Sequence, residues 1–112
     1  MPKRRNILVV SDQQLITEFK CLFRYGFNVF FLPPKEAFSF FLNSEIDFVF
    51  VFTDNEGIER EKIERVLHDI EFFAGEDVKI FCLGFMENGK GIKEDYIQLP
   101  LDSQKLLDIV KC

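Results

Sequence analysis

Tryptophan is absent from this chain of 112 residues, and cysteine, proline and glycine are sparse at three, four and six. The cysteines, Cys21, Cys82 and Cys112, are odd in number, show no C-x-x-C spacing and have only His68 as a possible imidazole partner. A disulfide framework and a zinc site are therefore excluded, and the three read as reduced intracellular thiols. The few prolines and glycines build no linker, and there is no repeat or low-complexity tract, so residues 1–112 are expected to form a single domain. Long apolar runs are missing too. The longest, Phe48 to Phe52, is far too short to cross a bilayer. Behind Lys3, Arg4 and Arg5 the apolar stretch is only Ile7 to Val10 and runs into Ser11 and Asp12, which is no signal peptide, so a cytoplasmic location is expected. Positive charge is also in deficit: 14 basic residues stand against 19 acidic ones, a net charge of −5. A nucleic-acid partner is disfavoured, because phosphate contacts need a concentrated positive face. No G-x-x-x-x-G-K-[ST], G-x-G-x-x-G or G-x-S-x-G pattern occurs, which leaves nucleotide-binding and serine-hydrolase chemistry without residues.

What is present is apolar and aromatic. Hydrophobic residues make up 47% of the chain, and fifteen residues are phenylalanine, most of which must be core. Five short runs rich in β-branched or aromatic residues read as strands: Ile7–Val10, Asn28–Leu32, Phe48–Phe52, Val78–Leu83 and Tyr96–Leu99. Between them the apolar spacing becomes helical. Leu15, Ile16, Phe19, Leu22 and Phe23 form one stripe over Gln13–Tyr25, with Ser11 and Gln14 as a capping pair and Gly26 as the stop. Pro33 and Pro34 suit the first turn of a short helix whose inward side is Ala37, Phe38, Phe41 and Leu42. Over Ile58–Ala74 the inward stripe is Ile63, Val66, Leu67, Ile70 and Phe73, with Gly75 beyond it. A closing helix starts at Asp102 or Ser103 and carries Leu106, Leu107, Ile109 and Val110. Residues 86–95 are polar, contain two glycines and read as a loop.

Strands alternating with helices imply parallel crossover units, and Phe-Val-Phe-Val-Phe is apolar on both faces, as a strand covered on both sides should be. The expected fold is α/β: a three-layer α/β/α sandwich with a doubly wound, parallel five-stranded sheet in the order 2-1-3-4-5. Its crevice lies between the carboxyl ends of the first and third strands, where Ser11, Asp12, Thr53 and Asp54 would gather.

The residues at these strand ends carry a resemblance. With Ile7-Leu8-Val9-Val10-Ser11-Asp12 at the first strand, Asp47-Phe48-Val49-Phe50-Val51-Phe52 at the third and Tyr96-Ile97-Gln98-Leu99-Pro100-Leu101-Asp102 at the fifth, the chain resembles, over its whole length, the CheY-like receiver domain of two-component response regulators. The resemblance implies a flavodoxin-like fold and an aspartate at the end of the third strand that accepts a phosphoryl group. Around it stand an acidic pair for Mg²⁺ after the first strand, a hydroxyl residue on the fourth and a Lys-Pro pair after the fifth. Phosphoryl transfer is mostly positioning and charge neutralisation, which explains that set.

This chain departs from that set at each place. Phe52 stands at the acceptor position, and a phenyl ring cannot be phosphorylated. Ser11 replaces the first acid of the metal pair, while Asp12 keeps the second. Leu99 precedes Pro100 where the lysine belongs, and the hydroxyl position falls at Leu83 or Gly84. The interval from Leu83 to Leu99 is short, so the fourth helix of a receiver is expected to be shortened or absent.

A degenerate, or pseudo, receiver is the leading expectation. It would be no enzyme, hold no cofactor and act as a phosphorylation-independent signalling module through protein-protein interaction or self-association. Phe85, Met86 and Tyr96, the last at the aromatic switch position of receivers, are the candidate interaction surface. The alternative is a working phosphoacceptor in a two-component phosphorelay, with Asp54 or Asp12 taking the group and Mg²⁺ held weakly by Asp12 and Asp54, helped by Glu56. Against it, two residues of extended chain place Asp54 about 6 to 7 Å beyond Phe52. A third reading, a flavodoxin-like small-ligand binder in the same crevice, has no phosphate-binding loop to support it. His68 falls on the side of its helix opposite the apolar stripe and reads as solvated, and Cys82 reads as a small core residue.

Overall fold

The computed structural model describes residues 6–11, 16–52, 60–84, 95–98 and 103–111. The elements run β1 (Asn6–Val10), α1 (Ile16–Arg24), β2 (Asn28–Leu32), α2 (Pro34–Leu42), β3 (Phe48–Phe52), α3 (Arg60–Phe73), β4 (Lys79–Gly84), β5 (Asp95–Gln98) and α4 (Ser103–Lys111). The α/β class and the parallel sheet are those that the alternating sequence implies. Strands lie in the order β2-β1-β3-β4, with β5 beside β4, and each neighbouring pair is parallel.

Alternation along the strands divides the interior into two cores. Ile7, Val9, Phe48, Phe50, Phe52, Phe81 and Leu83 face one side, where Phe19 and Leu22 of α1 and Leu106, Leu107 and Val110 of α4 close over them. Leu8, Val10, Val49, Val51 and Cys82 face the other, under Ala37 and Phe41 of α2 and Ile63, Leu67 and Ile70 of α3. The aromatic bulk is concentrated on the first side. Phe50 stacks on Phe81 with centroids 5.2 Å apart and takes the edge of Phe19 at 5.3 Å. The valines of β3 leave the opposite side smaller. Every residue of β3 is buried, as its apolar run predicts.

Local chemistry sets the element ends. Pro34 occupies the first turn of α2, with Pro33 extended before it (φ −69°, ψ 159°). Helix α1 closes through Gly26 at φ 83°, where the Phe27 N–H reaches back to Leu22 O at 3.1 Å and the Gly26 N–H to Phe23 O at 3.3 Å, a Schellman stop. At the amino ends of the strands Asp47 ties three of them together. Its carboxylate accepts the Asn6 N–H at 3.0 Å, its own N–H donates to Asn6 O at 2.9 Å, and its carbonyl accepts the Lys79 N–H at 3.1 Å. The Asn6 amide extends this tie by accepting from Asn28 Nδ2 at 2.9 Å and donating to Glu45 O at 2.7 Å.

Three inward expectations are corrected. Phe23, Leu42 and Phe73 were placed on buried stripes, yet all three are exposed, with Leu42 at 51% and Phe73 at 58%. A nine-residue helix such as α2 brings Pro34, Ala37 and Phe41 to the sheet, and Leu42, 100° further round, is left outside. The start of β4 also moves one residue onward, because the Val78 N–H closes a turn onto Gly75 O. His68 is exposed and Cys82 buried, as expected.

Candidate functional site

Parallel crossovers leave a crevice at the carboxyl edge of the sheet where the chain departs in opposite directions from neighbouring strands, here between β1 and β3. Val10 of β1 is paired in register with Val51 of β3, and one step further along each strand stand Ser11 and Phe52. Ser11 is buried, and its N–H donates to Leu32 O at 2.9 Å, extending the β1–β2 ladder by one bond. Phe52 is opposite Leu83, and Gly84 follows on β4 opposite Gln98 of β5.

The Phe52 side chain is the decisive element of this edge. It is 1% exposed and belongs to the core beneath α1 and α4, together with Phe50, Leu83 and Leu106. The end of β3 therefore closes over with hydrocarbon. Of the described residues at the ends of β1, β3 and β4, Ser11, Phe52 and Gly84, none carries a carboxylate or an ammonium group; Ser11 carries a hydroxyl, and Gln98 at the end of β5 is a carboxamide residue. Among the described residues no group of three or more His, Cys, Asp or Glu is placed to hold a metal ion.

The other sequence-derived candidates divide in two. Tyr96 lies in β5 opposite Cys82, which fixes its place in the sheet. Asp12, Asp54, Glu56, Phe85, Met86, Leu99 and Pro100 lie outside the described residues, as does the segment in which a shortened fourth helix was expected.

A second feature escaped the sequence reading. Between α2 and α3 a cleft of about 600 Å³ opens, floored by Pro34, Phe38 and Val66 and edged by Lys35, Lys62 and Arg65, with one carboxylate, Asp69. Below it Phe38 meets Phe73 with ring centroids 5.6 Å apart, and Phe73 meets Phe72 at 5.0 Å. The signal was available in the spacing: Lys62, Arg65, Asp69 and Phe72 or Phe73 recur every three or four residues as a second stripe beside the buried one.

No protein-family model and no curated protein matches the chain by sequence. Solved structures match by fold over nearly the whole chain. A CheY-like response regulator receiver domain from Methylobacillus flagellatus is 18% identical, with a TM-score of 0.78 and coverage of 97% of this chain and 98% of its own. A CheY-like receiver domain protein from Methanospirillum hungatei is 17% identical, with a TM-score of 0.74 and coverage of 97% and 92%. The signal receiver domain of an HD domain-containing protein from Pseudomonas fluorescens is 19% identical, with a TM-score of 0.72 and coverage of 97% and 93%. The chain thus has the fold of response-regulator receiver domains, and at such identities the likeness is one of fold.

Proposed function

We propose that this chain is a degenerate receiver-like module that signals by binding another protein or a second copy of itself, without an aspartyl-phosphate switch and without catalytic turnover. The observation that carries the reading is the burial of Phe52 at the end of β3. A phosphoacceptor must present a solvated nucleophilic carboxylate, and Mg²⁺ demands several oxygen ligands in near-octahedral geometry. The described residues of the crevice offer the Ser11 hydroxyl between hydrocarbon walls, which does not fit that ion. A two-state switch also needs an input that binds one state better than the other. With Phe52 in one core with Leu83 and Leu106, the usual acceptor position holds no carboxylate, and one packed arrangement is favoured.

No helix among the described residues is long and apolar enough to cross a membrane.

The reading is tested by incubating the protein with Mg²⁺ and acetyl phosphate and recording its intact mass. The expected outcome is no phosphoryl adduct. An Mg²⁺-dependent adduct that disappears in Asp54→Asn or Asp12→Asn would overturn the reading in favour of a relocated acceptor.

A further inference from the structure

We propose that the cleft between α2 and α3 binds a small organic anion, a molecule whose apolar body lies on Phe38 and Val66 and whose carboxylate, sulfonate or phosphate head is held among Lys35, Lys62 and Arg65. The site is distinct from the crevice at the sheet edge and does not depend on the interaction-module reading.

The cleft opens to about 600 Å³, within the range of cavities that take small ligands. Its floor is made of residues that the fold already holds. Pro34 is buried, and Pro33, Phe38 and Val66 are half-buried. Phe38 and Val66 pack against the core beneath α2 and α3, and the Phe38 ring also meets Phe73 with centroids 5.6 Å apart. The two prolines have fixed φ. This apolar surface is therefore in place before a ligand arrives, and binding requires little ordering of the protein.

The rim supplies the charge. Lys62, Arg65 and Asp69 follow one another at intervals of three and four residues along α3, beside Val66, and Lys35 faces them from the first turn of α2. Three cations against one carboxylate leave a net charge of +2 around the cleft, in a chain whose own net charge is −5. Matching Asp69 with Arg65, four residues before it on the same helix, still leaves both lysines. Lys35, Lys62 and Arg65 are exposed, so an anion drawn to them is met at the rim without burial of their charge, while their methylene stems extend the apolar wall.

Floor and rim together select the class of ligand. A cation would be repelled by three groups and attracted by one. A neutral hydrocarbon would use the floor alone and a compact inorganic anion the rim alone, whereas an organic anion uses both. The cations on α3, Lys62 and Arg65, are separated by about 4 to 5 Å along the helix axis, which is the reach of one head group and not of an extended polyanion.

The experiment titrates the ¹⁵N-labelled full chain with sodium octanoate while backbone amide shifts are followed, with sodium acetate as the control for the head and octyltrimethylammonium chloride as the control for the apolar body. The expected result is saturable change at the amides of Lys35, Phe38, Lys62, Arg65, Val66 and Asp69 with a Kd of about 1 mM or below. Acetate should bind at least tenfold more weakly, and octyltrimethylammonium should not saturate those amides. Lys62→Glu and Arg65→Glu, both changes of exposed residues, should each weaken octanoate binding several-fold, and Asp69→Asn should tighten it about twofold to fivefold. Lys35→Glu is a further probe of the rim should either α3 variant not fold.

Octanoate shifts that do not saturate, or that scatter over the chain, would overturn the proposal. So would equal saturation of the same amides by octyltrimethylammonium, or octanoate binding indifferent to both the charge reversals and Asp69→Asn. None of these readouts involves Mg²⁺, a phosphoryl group or a partner protein, so failure here is distinguishable from failure of the interaction-module reading.

Discussion

At the scale of single residues, the proposal turns first on Phe52, one of several positions at which this chain departs from the receiver set. Phe52 sits where the third strand ends and packs inward with Phe50 and Leu83. Removing its ring would leave a cavity in a packed core. Phe52→Ala is expected to lower the unfolding free energy by about 3 to 5 kcal/mol in a urea titration, whereas Phe72→Ala, on the open surface, should change it by less than about 0.5 kcal/mol. Comparable losses in the two variants would show that the burial of Phe52 has been misjudged. Phe52→Asp should not create a phosphoacceptor, because the new carboxylate would be buried between apolar groups and would unfold the edge before it could react. At the opposite edge the same reasoning applies to Asp47. Asp47→Ala removes the acceptor of the Asn6 N–H and is expected to cost about 1 to 3 kcal/mol in the same titration.

At the scale of elements, sequence and structure agree where chemistry is local and part company where packing decides. Pro34 at the start of α2, Gly26 at the end of α1 and the apolar run of β3 were legible because each meets a backbone or solvation requirement by itself. Gly26 can be checked directly: at φ 83° a side chain is strained, so Gly26→Ala should lower stability by about 1 to 2 kcal/mol, read as a fall in melting temperature, and an unchanged melting temperature would contradict the Schellman assignment. The exposure of Phe23, Leu42 and Phe73 was not legible in the same way. A helical stripe read from spacing has no sharp edges, and only the position of the sheet and the neighbouring helix decides which flanking residue is covered. Phe72 and Phe73 are adjacent and therefore point 100° apart. Ile63, Leu67 and Ile70 already fill the sheet-facing side of α3, and both rings remain outside. The crevice divides similarly. Ser11, Phe52 and Gly84 could be placed from the strand ends, since register follows from alternation. Asp12 and Asp54 belong to connections beyond the described residues, where no periodicity constrains position.

At the scale of the whole molecule, the fold offers two faces with different characters. At the carboxyl edge of the sheet, Phe52 and Leu83 are buried in the core beneath α1 and α4. The flank formed by α2 and α3 carries the exposed Leu42, Phe72 and Phe73. The central claim, that the crevice no longer responds to a phosphoryl group, is tested most directly by titrating ¹⁵N-labelled protein with Mg²⁺ and then with beryllofluoride while following backbone amide shifts. The account predicts a well-dispersed spectrum in which the amides of Ser11, Phe52, Gly84 and Tyr96 show no saturable change; saturable shifts clustered at those amides would contradict it.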